Sequence, residues 1–284
     1  MDFKIIDAHM HFSAIEAFRS AAEDAVVEYS RAGYLKERED AGIEAGVCMG
    51  LSESTPFSFP DQNVVTPMTA DLTENKPPDM FTCLGINPHT LDDAVVKRIC
   101  GIIKNDPTVV GFKIYAGYYH YHVYDPVYAP IYALAAEHGL TVSIHTGVTY
   151  SERGIMEYSH PLTADRLAVQ YRDTQFLLCH MGNPWIMDAC ETAYKNRNVF
   201  LDISGLVEGN AAQIDYVENQ PLLMQHYTTG LLYLNNYKKV LFGTDWPIVP
   251  MKRYVDFCKK IIPEHARGDV FRENAIRVYK LSGI

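Results

Sequence analysis

The chain has 284 residues, of which 48% are hydrophobic and 21% are charged, a composition typical of a folded protein with a large buried core. The formal net charge of −10 argues against a nucleic-acid partner, because phosphate binding needs clustered Lys and Arg side chains. No signal peptide begins the sequence and no run approaches the roughly 20 apolar residues of a membrane span, so we expect a cytoplasmic protein without a membrane partner.

Eight short apolar runs follow one another along the chain, with helical segments between them. Each run is nearly continuous in apolar character, which is typical of parallel strands buried on both faces. The predicted strands are residues 4–8, 45–51, 81–86, 109–115, 141–145, 175–180, 199–204 and 240–244. Amphipathic spacing predicts helices over residues 125–138, 162–171, 184–195 and 269–281, with Gly139 as a C-cap and Pro184 in a first helical turn.

Eight strands alternating with helices predict an α/β protein, a closed (β/α)8 TIM barrel formed by one domain over residues 1–284. An open doubly wound sheet is the alternative, but the G-x-G-x-x-G fingerprint of its dinucleotide-binding version is absent. The polar, proline-rich stretch 52–78 is predicted as a long loop near the active site. None of the six cysteines forms a C-x-x-C pair, which favours reduced thiols.

Polar side chains follow several of these strands at their carboxyl-terminal ends, where a barrel keeps its catalytic groups. The first strand ends in His9 and His11, and residues two apart in a strand point to the same side. The other strand-end residues are Lys113 on the fourth, His145 on the fifth, His180 on the sixth and Asp245 after the eighth. Imidazole and carboxylate groups together suit a divalent ion such as Zn²⁺, Mn²⁺ or Fe²⁺.

The segments that carry these residues are IIDAHMHF, GFKIY, VSIHTG, FLLCHMGNPW, VFLDISG, LFGTDWP and RENAIRVYKL. They resemble the amidohydrolase superfamily over nearly the full chain. The closer likeness is to its amidohydrolase-related branch, which includes aminocarboxymuconate-semialdehyde and resorcylate decarboxylases and several hydrolases. The order of one H-x-H, two further histidines and an aspartate at strands one, five, six and eight is specific to the superfamily.

The resemblance implies a metal centre and a catalytic histidine. His180 matches the catalytic histidine, and Asp245 is also implied as the base in hydrolytic relatives. Asp7 and Asn274 match motif positions with support roles. The implied ligands of a single ion, most often zinc with manganese or iron as alternatives, are His9, His11, His145 and Asp245.

Lys113 is open to two interpretations. In binuclear members of the superfamily, a lysine on the fourth strand is carboxylated by CO2 and bridges two ions, which here would place His145 and His180 on the second ion. Alternatively, Lys113 pairs with a substrate carboxylate or with the aspartate of the metal site.

Three functions are compatible with this site. Hydrolysis of an amide, ester or lactone by metal-activated water, with Asp245 as the base and His180 polarising the substrate, is our first prediction. Non-oxidative decarboxylation of a small carboxylic acid is the alternative. A barrel that only binds is the third, and it would be expected to lack ligands that this chain has.

Four residues near the strand ends are candidates for substrate binding beside Lys113. Tyr115 begins a loop rich in tyrosine that is either an aromatic pocket wall or a surface loop packed by its own rings. Arg153 would hold a carboxylate or stay solvated, and His160 is either a pocket or a helix-entry residue. Trp246 would shape the pocket wall. We expect a small-molecule substrate and consider a homodimer, for which no interface residue can be named.

Overall fold

The computed structural model describes residues 4–12, 15–51, 76–77 and 79–284, apart from the side chain of residue 16. Eight parallel strands form one sheet in chain order, and each pairs with the next. The strands are β1 (Ile5–Met10), β2 (Ile43–Met49), β3 (Met80–Ile86), β4 (Val109–Ile114), β5 (Thr141–Ile144), β6 (Gln175–Leu178), β7 (Val199–Asp202) and β8 (Val240–Leu241). The predicted (β/α)8 TIM barrel is confirmed.

The barrel closes where β1 meets the segment that follows β8. The backbone N–H of Ala8 donates to the carbonyl of Phe242 at 2.9 Å, and that of Asp245 donates to the carbonyl of His9 at 2.8 Å. A third hydrogen bond joins the N–H of His11 to the carbonyl of Trp246 at 2.6 Å. We refer to these contacts as the closing seam of the barrel.

Helices lie between the strands, and their apolar faces cover the sheet. They are α1 (Glu16–Ala25), α2 (Arg31–Ala41), α3 (Asp93–Asn105), α4 (Ala129–His138), α5 (Met156–Ser159), α6 (Thr163–Gln170), α7 (Ile186–Lys195), α8 (Ala211–Glu218), α9 (Pro221–Leu234), α10 (Met251–Ile261) and α11 (Asn274–Tyr279). None of the helices among these described residues is both long and apolar enough to cross a membrane.

The predicted helices differ from the observed ones at their ends. The segment 125–138 begins with a 3-10 turn before α4, which stops at Gly139 with φ of +66° as predicted. The prediction for Pro184 was wrong, because α7 begins at Ile186. Trp185 N–H donates to the Gly182 carbonyl, so a turn precedes the helix and contains the proline. Most of the loop predicted over 52–78 lies outside the described residues.

The amino-terminal end of the barrel is closed by α11. Val278 and Tyr279 pack with a cluster that includes Ile6, Ala8 and Leu177, and the hydroxyl of Thr141 donates to the Val278 carbonyl at 2.7 Å. Complete burial of each large apolar side chain contributes roughly 1.5–3 kcal/mol relative to exposure. All six cysteines are free thiols. With this end packed, the opposite end remains for the site.

Candidate metal centre and active site

His9 near the end of β1, His11 just after it and Asp245 after β8 bring three ligand atoms together. The Nε2 atoms of the two histidines lie 3.3 Å apart. The Oδ1 atom of Asp245 lies 3.2 Å from Nε2 of His9 and 3.0 Å from Nε2 of His11. The three residues form a buried group able to hold a metal ion.

The distances within this group fit one ion. Tetrahedral ligands at about 2.0–2.1 Å from an ion lie about 3.3–3.4 Å from one another, close to the distances observed here. The Oδ1 atom of Asp245 is buried without a hydrogen-bond partner among the described residues. A buried carboxylate oxygen of this kind is costly unless a cation or a donor faces it. The donor set therefore suits a divalent ion.

Asp7 links β1, which carries His9, to the segment after β8 that carries Asp245, across the closing seam. Its Oδ1 accepts hydrogen bonds from the backbone N–H of Thr244 at 2.9 Å and of His9 at 3.2 Å. Its Oδ2 accepts the hydroxyl of Thr244 at 2.5 Å. Burial raises the pKa of Asp7 to about 7, although the hydrogen bonds from Thr244 oppose the rise. Asp7 thus joins the backbone at His9 to the segment around Thr244, and its support role stays a prediction.

Asp202 and Ser204, at the end of β7, contact the site and were missed by sequence reasoning. Oδ2 of Asp202 lies 2.9 Å from Nδ1 of His9, and its Oδ1 accepts the Ser204 hydroxyl at 2.5 Å. The same hydroxyl lies 3.0 Å from Nδ1 of His9 and 3.0 Å from Nδ1 of His180. The signal was present, since VFLDIS places a carboxylate at the end of a predicted strand.

His145 and His180 form a second histidine pair beside the first group. Nδ1 of His145 lies 3.2 Å from Nε2 of His180. The other nitrogen of His145 faces the carbonyl of Val148 at 3.0 Å, and Nδ1 of His180 faces the carbonyl of Ser204 at 3.1 Å. The structure therefore groups the implied ligand His145 with the catalytic candidate His180.

Burial dominates the protonation of these groups. It lowers the pKa of His9, His11 and His145, and the positive charge of Lys113 acts in the same direction. Burial likewise lowers the pKa of His180 to about 4, against the opposing charge of Asp245. Burial alone would raise the pKa of Asp245, but the neighbouring His180 and His9 hold it well below its usual value. Neutral imidazoles and an ionised carboxylate are the forms that bind metals.

Lys113 on β4 is completely buried between the two histidine groups. Its Nζ lies 3.3 Å from Nε2 of His9 and donates to the Sγ atom of Cys179 at 3.1 Å. Burial raises the pKa of the Cys179 thiol well above its usual value, so this partner is a neutral thiol at neutral pH. Lys113 also lines the cavity in front of the site.

An aromatic cavity opens in front of these residues. Phe18 of α1 stacks on the ring of His11 with centroids 4.4 Å apart. Tyr118 packs edge-on against His145 at 5.0 Å, and Tyr150 donates its backbone N–H to the Tyr118 hydroxyl. Residues lining the cavity include Phe18, Tyr115, Tyr118, Tyr150, Lys113 and Glu208. Of the predicted substrate residues, Lys113 and Tyr115 are thus in the wall.

The structure places three other predicted substrate residues outside the described lining of the cavity. Arg153 is exposed, and its carbonyl faces Nε2 of His120 at 3.2 Å. His160 packs on Trp185 at 4.7 Å, with its Nε2 3.7 Å from Asp188. Trp246 is fully buried against Phe12 and two tyrosines, so it supports the closing seam from behind. The substrate-binding roles of these three residues stay predictions.

Comparisons with known proteins agree with this fold. A family model described as amidohydrolase matches residues 6–281, whereas no curated protein matches the chain. An uncharacterized TIM-barrel protein from Bordetella bronchiseptica is 21% identical with a TM-score of 0.73, covering 98% of this chain and 99% of that one.

Two further solved structures are of proteins with named activities. Dihydroxybenzoic acid decarboxylase from Polaromonas sp. JS666, with bound manganese and the inhibitor 2-nitroresorcinol, is 14% identical with a TM-score of 0.67, covering 100% of this chain and 98% of that one. A probable 2-pyrone-4,6-dicarboxylic acid hydrolase from Acinetobacter baumannii, with citric acid bound, is 14% identical with a TM-score of 0.64. The match covers 98% of this chain and 100% of that one. At these identities the likeness shows a shared fold.

Proposed function

This chain belongs to the amidohydrolase-2 family, and from that membership we propose that it is a metal-dependent enzyme that decarboxylates a small, planar carboxylic acid without oxidation. Several solved structures with the same fold are of decarboxylases, including the manganese-bound enzyme above, which supports this reaction over hydrolysis.

The ion would be held by His9, His11 and Asp245, whose ligand atoms face one another. His145 offers Nδ1 as a further ligand atom, because Val148 engages its other ring nitrogen. When bound, the ion supplies a positive charge that holds substrate oxygens and stabilises negative charge on them. The donors accept zinc, manganese or iron, and the manganese of the decarboxylase neighbour supports a divalent ion without choosing among them.

One observation carries the choice of substrate: Lys113 brings a positive charge into the wall of an aromatic cavity, beside the proposed ion. A carboxylate that enters the cavity would find in Lys113 a partner that is already desolvated. Phe18, Tyr115 and Tyr118 offer ring faces and edges that suit a flat, unsaturated substrate. An aromatic or otherwise conjugated acid meets both requirements.

We assign delivery of the replacing proton to His180. The His180 ring first takes up a proton from water at Nε2. The carbon–carboxyl bond then breaks, its electron pair stays on the carbon, CO2 leaves and the proton on Nε2 forms the new C–H bond. The Ser204 carbonyl engages Nδ1 of the ring, which leaves Nε2 to carry the transferred proton. Asp245, with Oδ2 3.8 Å from Nδ1, favours the protonated ring, while burial makes that ring a ready proton donor.

Hydrolysis of an amide, ester or lactone is the second candidate. Asp245 is held ionised by its histidine neighbours and could take a proton from water. The probable hydrolase among the structural neighbours supports this reading.

In the test, metal-free protein is reloaded with Zn²⁺ or Mn²⁺. It is then incubated with a panel of hydroxybenzoic acids labelled with ¹³C in the carboxyl group, and with matched esters and lactones. We expect labelled CO2 only with the loaded protein. In D2O the product should carry deuterium at the carbon that lost the carboxyl group. Asp245→Asn serves as the control that removes one ligand oxygen. Turnover of esters or lactones without CO2 release would replace decarboxylation by hydrolysis.

A further inference from the structure

The two carboxylate oxygens of Asp202 have different kinds of partner. Oδ1 accepts hydrogen bonds from the backbone N–H groups of His180 at 2.9 Å and Ser204 at 3.1 Å. Oδ2 faces a ring nitrogen, Nδ1 of His9, at 2.9 Å. Asp202 is completely buried, so water does not compete for either oxygen. Each oxygen therefore accepts hydrogen bonds only from donors that the protein itself supplies.

An ionised carboxylate can only accept hydrogen bonds, so the proton of a neutral His9 ring lies on Nδ1. The other nitrogen, Nε2, then presents a lone pair towards Nε2 of His11 and Oδ1 of Asp245. We infer that Asp202 is a positioning residue that fixes His9 in the tautomer able to bind a divalent cation. The inference rests on the proposed metal-dependent function for the identity of the ligand, and on hydrogen bonding for the tautomer.

The isosteric change Asp202→Asn reverses this tautomer for a geometric reason. Two backbone N–H groups point at the Oδ1 position, so the amide oxygen of the asparagine must occupy it. The amide NH2 is then left at the Oδ2 position, where it donates to Nδ1 of His9. The ring proton moves to Nε2, and the nitrogen that faces the ion can no longer bind it.

Asp7→Asn is the matched control. Asp7 is also fully buried beside His9, but it contacts the backbone N–H of His9 rather than its ring. Its Oδ1 also accepts the backbone N–H of Thr244, so the amide oxygen would stay there. The amide NH2 would then meet the Thr244 hydroxyl, which can accept it. This variant removes a neighbouring carboxylate and leaves the His9 tautomer unchanged.

Two measurements test the inference at pH 7.5–8. The first is a competition titration of Zn²⁺ and Mn²⁺ against a coloured chelator. We expect a loss of affinity on the order of 100-fold for Asp202→Asn and a clearly smaller loss, about tenfold or less, for Asp7→Asn. The second is NMR of the metal-free protein with ¹⁵N-labelled histidine, in which the His9 signals are identified by their loss in His9→Gln. His9 should carry its proton on Nδ1 in the wild type and in Asp7→Asn, and on Nε2 in Asp202→Asn.

A wild-type His9 ring protonated on Nε2 would overturn the inference. This measurement uses only the wild-type protein, so it does not depend on whether a variant folds. Equal losses of affinity in the two Asn variants would also overturn it, because general loss of charge would then explain both. A third outcome separates the two proposals. If the wild type bound no ion, the proposed metal-dependent function would fail. The positioning role would still stand if His9 carried its proton on Nδ1 in the wild type and on Nε2 in Asp202→Asn.

Discussion

Nδ1 of His145 lies 3.2 Å from Nε2 of His180, and backbone carbonyls engage the other nitrogen of each ring. A carbonyl can only accept a hydrogen bond, so in neutral rings the protons lie on Nε2 of His145 and Nδ1 of His180. The two facing nitrogens then both present lone pairs. Two facing lone pairs repel each other, and a proton or a metal ion bound by either nitrogen would relieve that repulsion.

This relationship leads to a prediction about metal content. We expect about one tightly bound transition-metal ion per chain, on His9, His11, Asp245 and Nδ1 of His145, and at most a weaker second ion beside His180, where the positive charge of Lys113 opposes it. Elemental analysis after dialysis at low metal, then titration with added Zn²⁺, measures both. Two equally tight ions, with an added mass of one CO2 on the peptide that contains Lys113, would instead establish a carboxylated bridging lysine.

Replacement of Lys113 tests the substrate class. We expect Lys113→Met to weaken binding of aromatic carboxylates on the order of 30-fold, because a buried carboxylate loses a charged partner worth about 2 kcal/mol. Binding of neutral phenols should change little. Lys76→Met is the control, since Lys76 is half-buried and its Nζ donates to Thr82 and Thr108 hydroxyls. Equilibrium binding of both ligand types to all three proteins decides the matter, and equal weakening of phenols would contradict a carboxylate role.

Gly205 is required by the geometry of the active site. A Cβ atom there would lie 2.8 Å from Oδ2 of Asp245 and 2.9 Å from Nδ1 of His180. Gly42 has a similar positive φ of +71°, but its Cβ would meet no atom within 4 Å. Both Gly→Ala changes should lower the free energy of unfolding by about 1 kcal/mol through backbone strain. Only Gly205→Ala should also lose at least about tenfold in turnover. Similar turnover in the two variants would show that this contact is not critical.

Asp7 should make stability depend on pH. Its folded pKa of about 7 exceeds the ordinary value of 3.8, so the folded chain binds the proton more tightly than the unfolded chain. The contribution of Asp7 to the free energy of unfolding therefore falls as pH rises from about 4 to about 7. The fall is at most about 4 kcal/mol, at 1.36 kcal/mol per pH unit. Relative to the wild type, metal-free Asp7→Asn should gain stability across that window. Urea unfolding at pH 5 and pH 8 measures the difference, and a constant difference would exclude the raised pKa.

Much of the fold could be predicted because its signals are local. Continuous apolar runs indicate buried parallel strands, and all eight were found with ends displaced by a few residues. His9, His11 and Asp245 could be predicted to meet because the barrel brings all carboxyl-terminal strand ends to one face.

Other features depend on contacts that no local pattern encodes. The direction of the His145 ring is set by the Val148 carbonyl, and the role of Asp202 depends on which atom of His9 it meets. Trp246 follows Asp245 in sequence but faces away from the cavity, because Phe12, Tyr29 and Tyr34 surround its ring. Such orientations follow from tertiary packing, so they had to be observed.

The closing seam has a consequence for how the protein assembles. His9 and His11 come from one end of the chain and Asp245 from near the other, so the ligand group is complete only after the first and last strands have met. An ion held there would act as a cross-link over a very long loop, favouring the finished barrel over partly folded forms. Metal uptake during refolding should therefore coincide with the last step, and fragments that lack either end should not retain the ion.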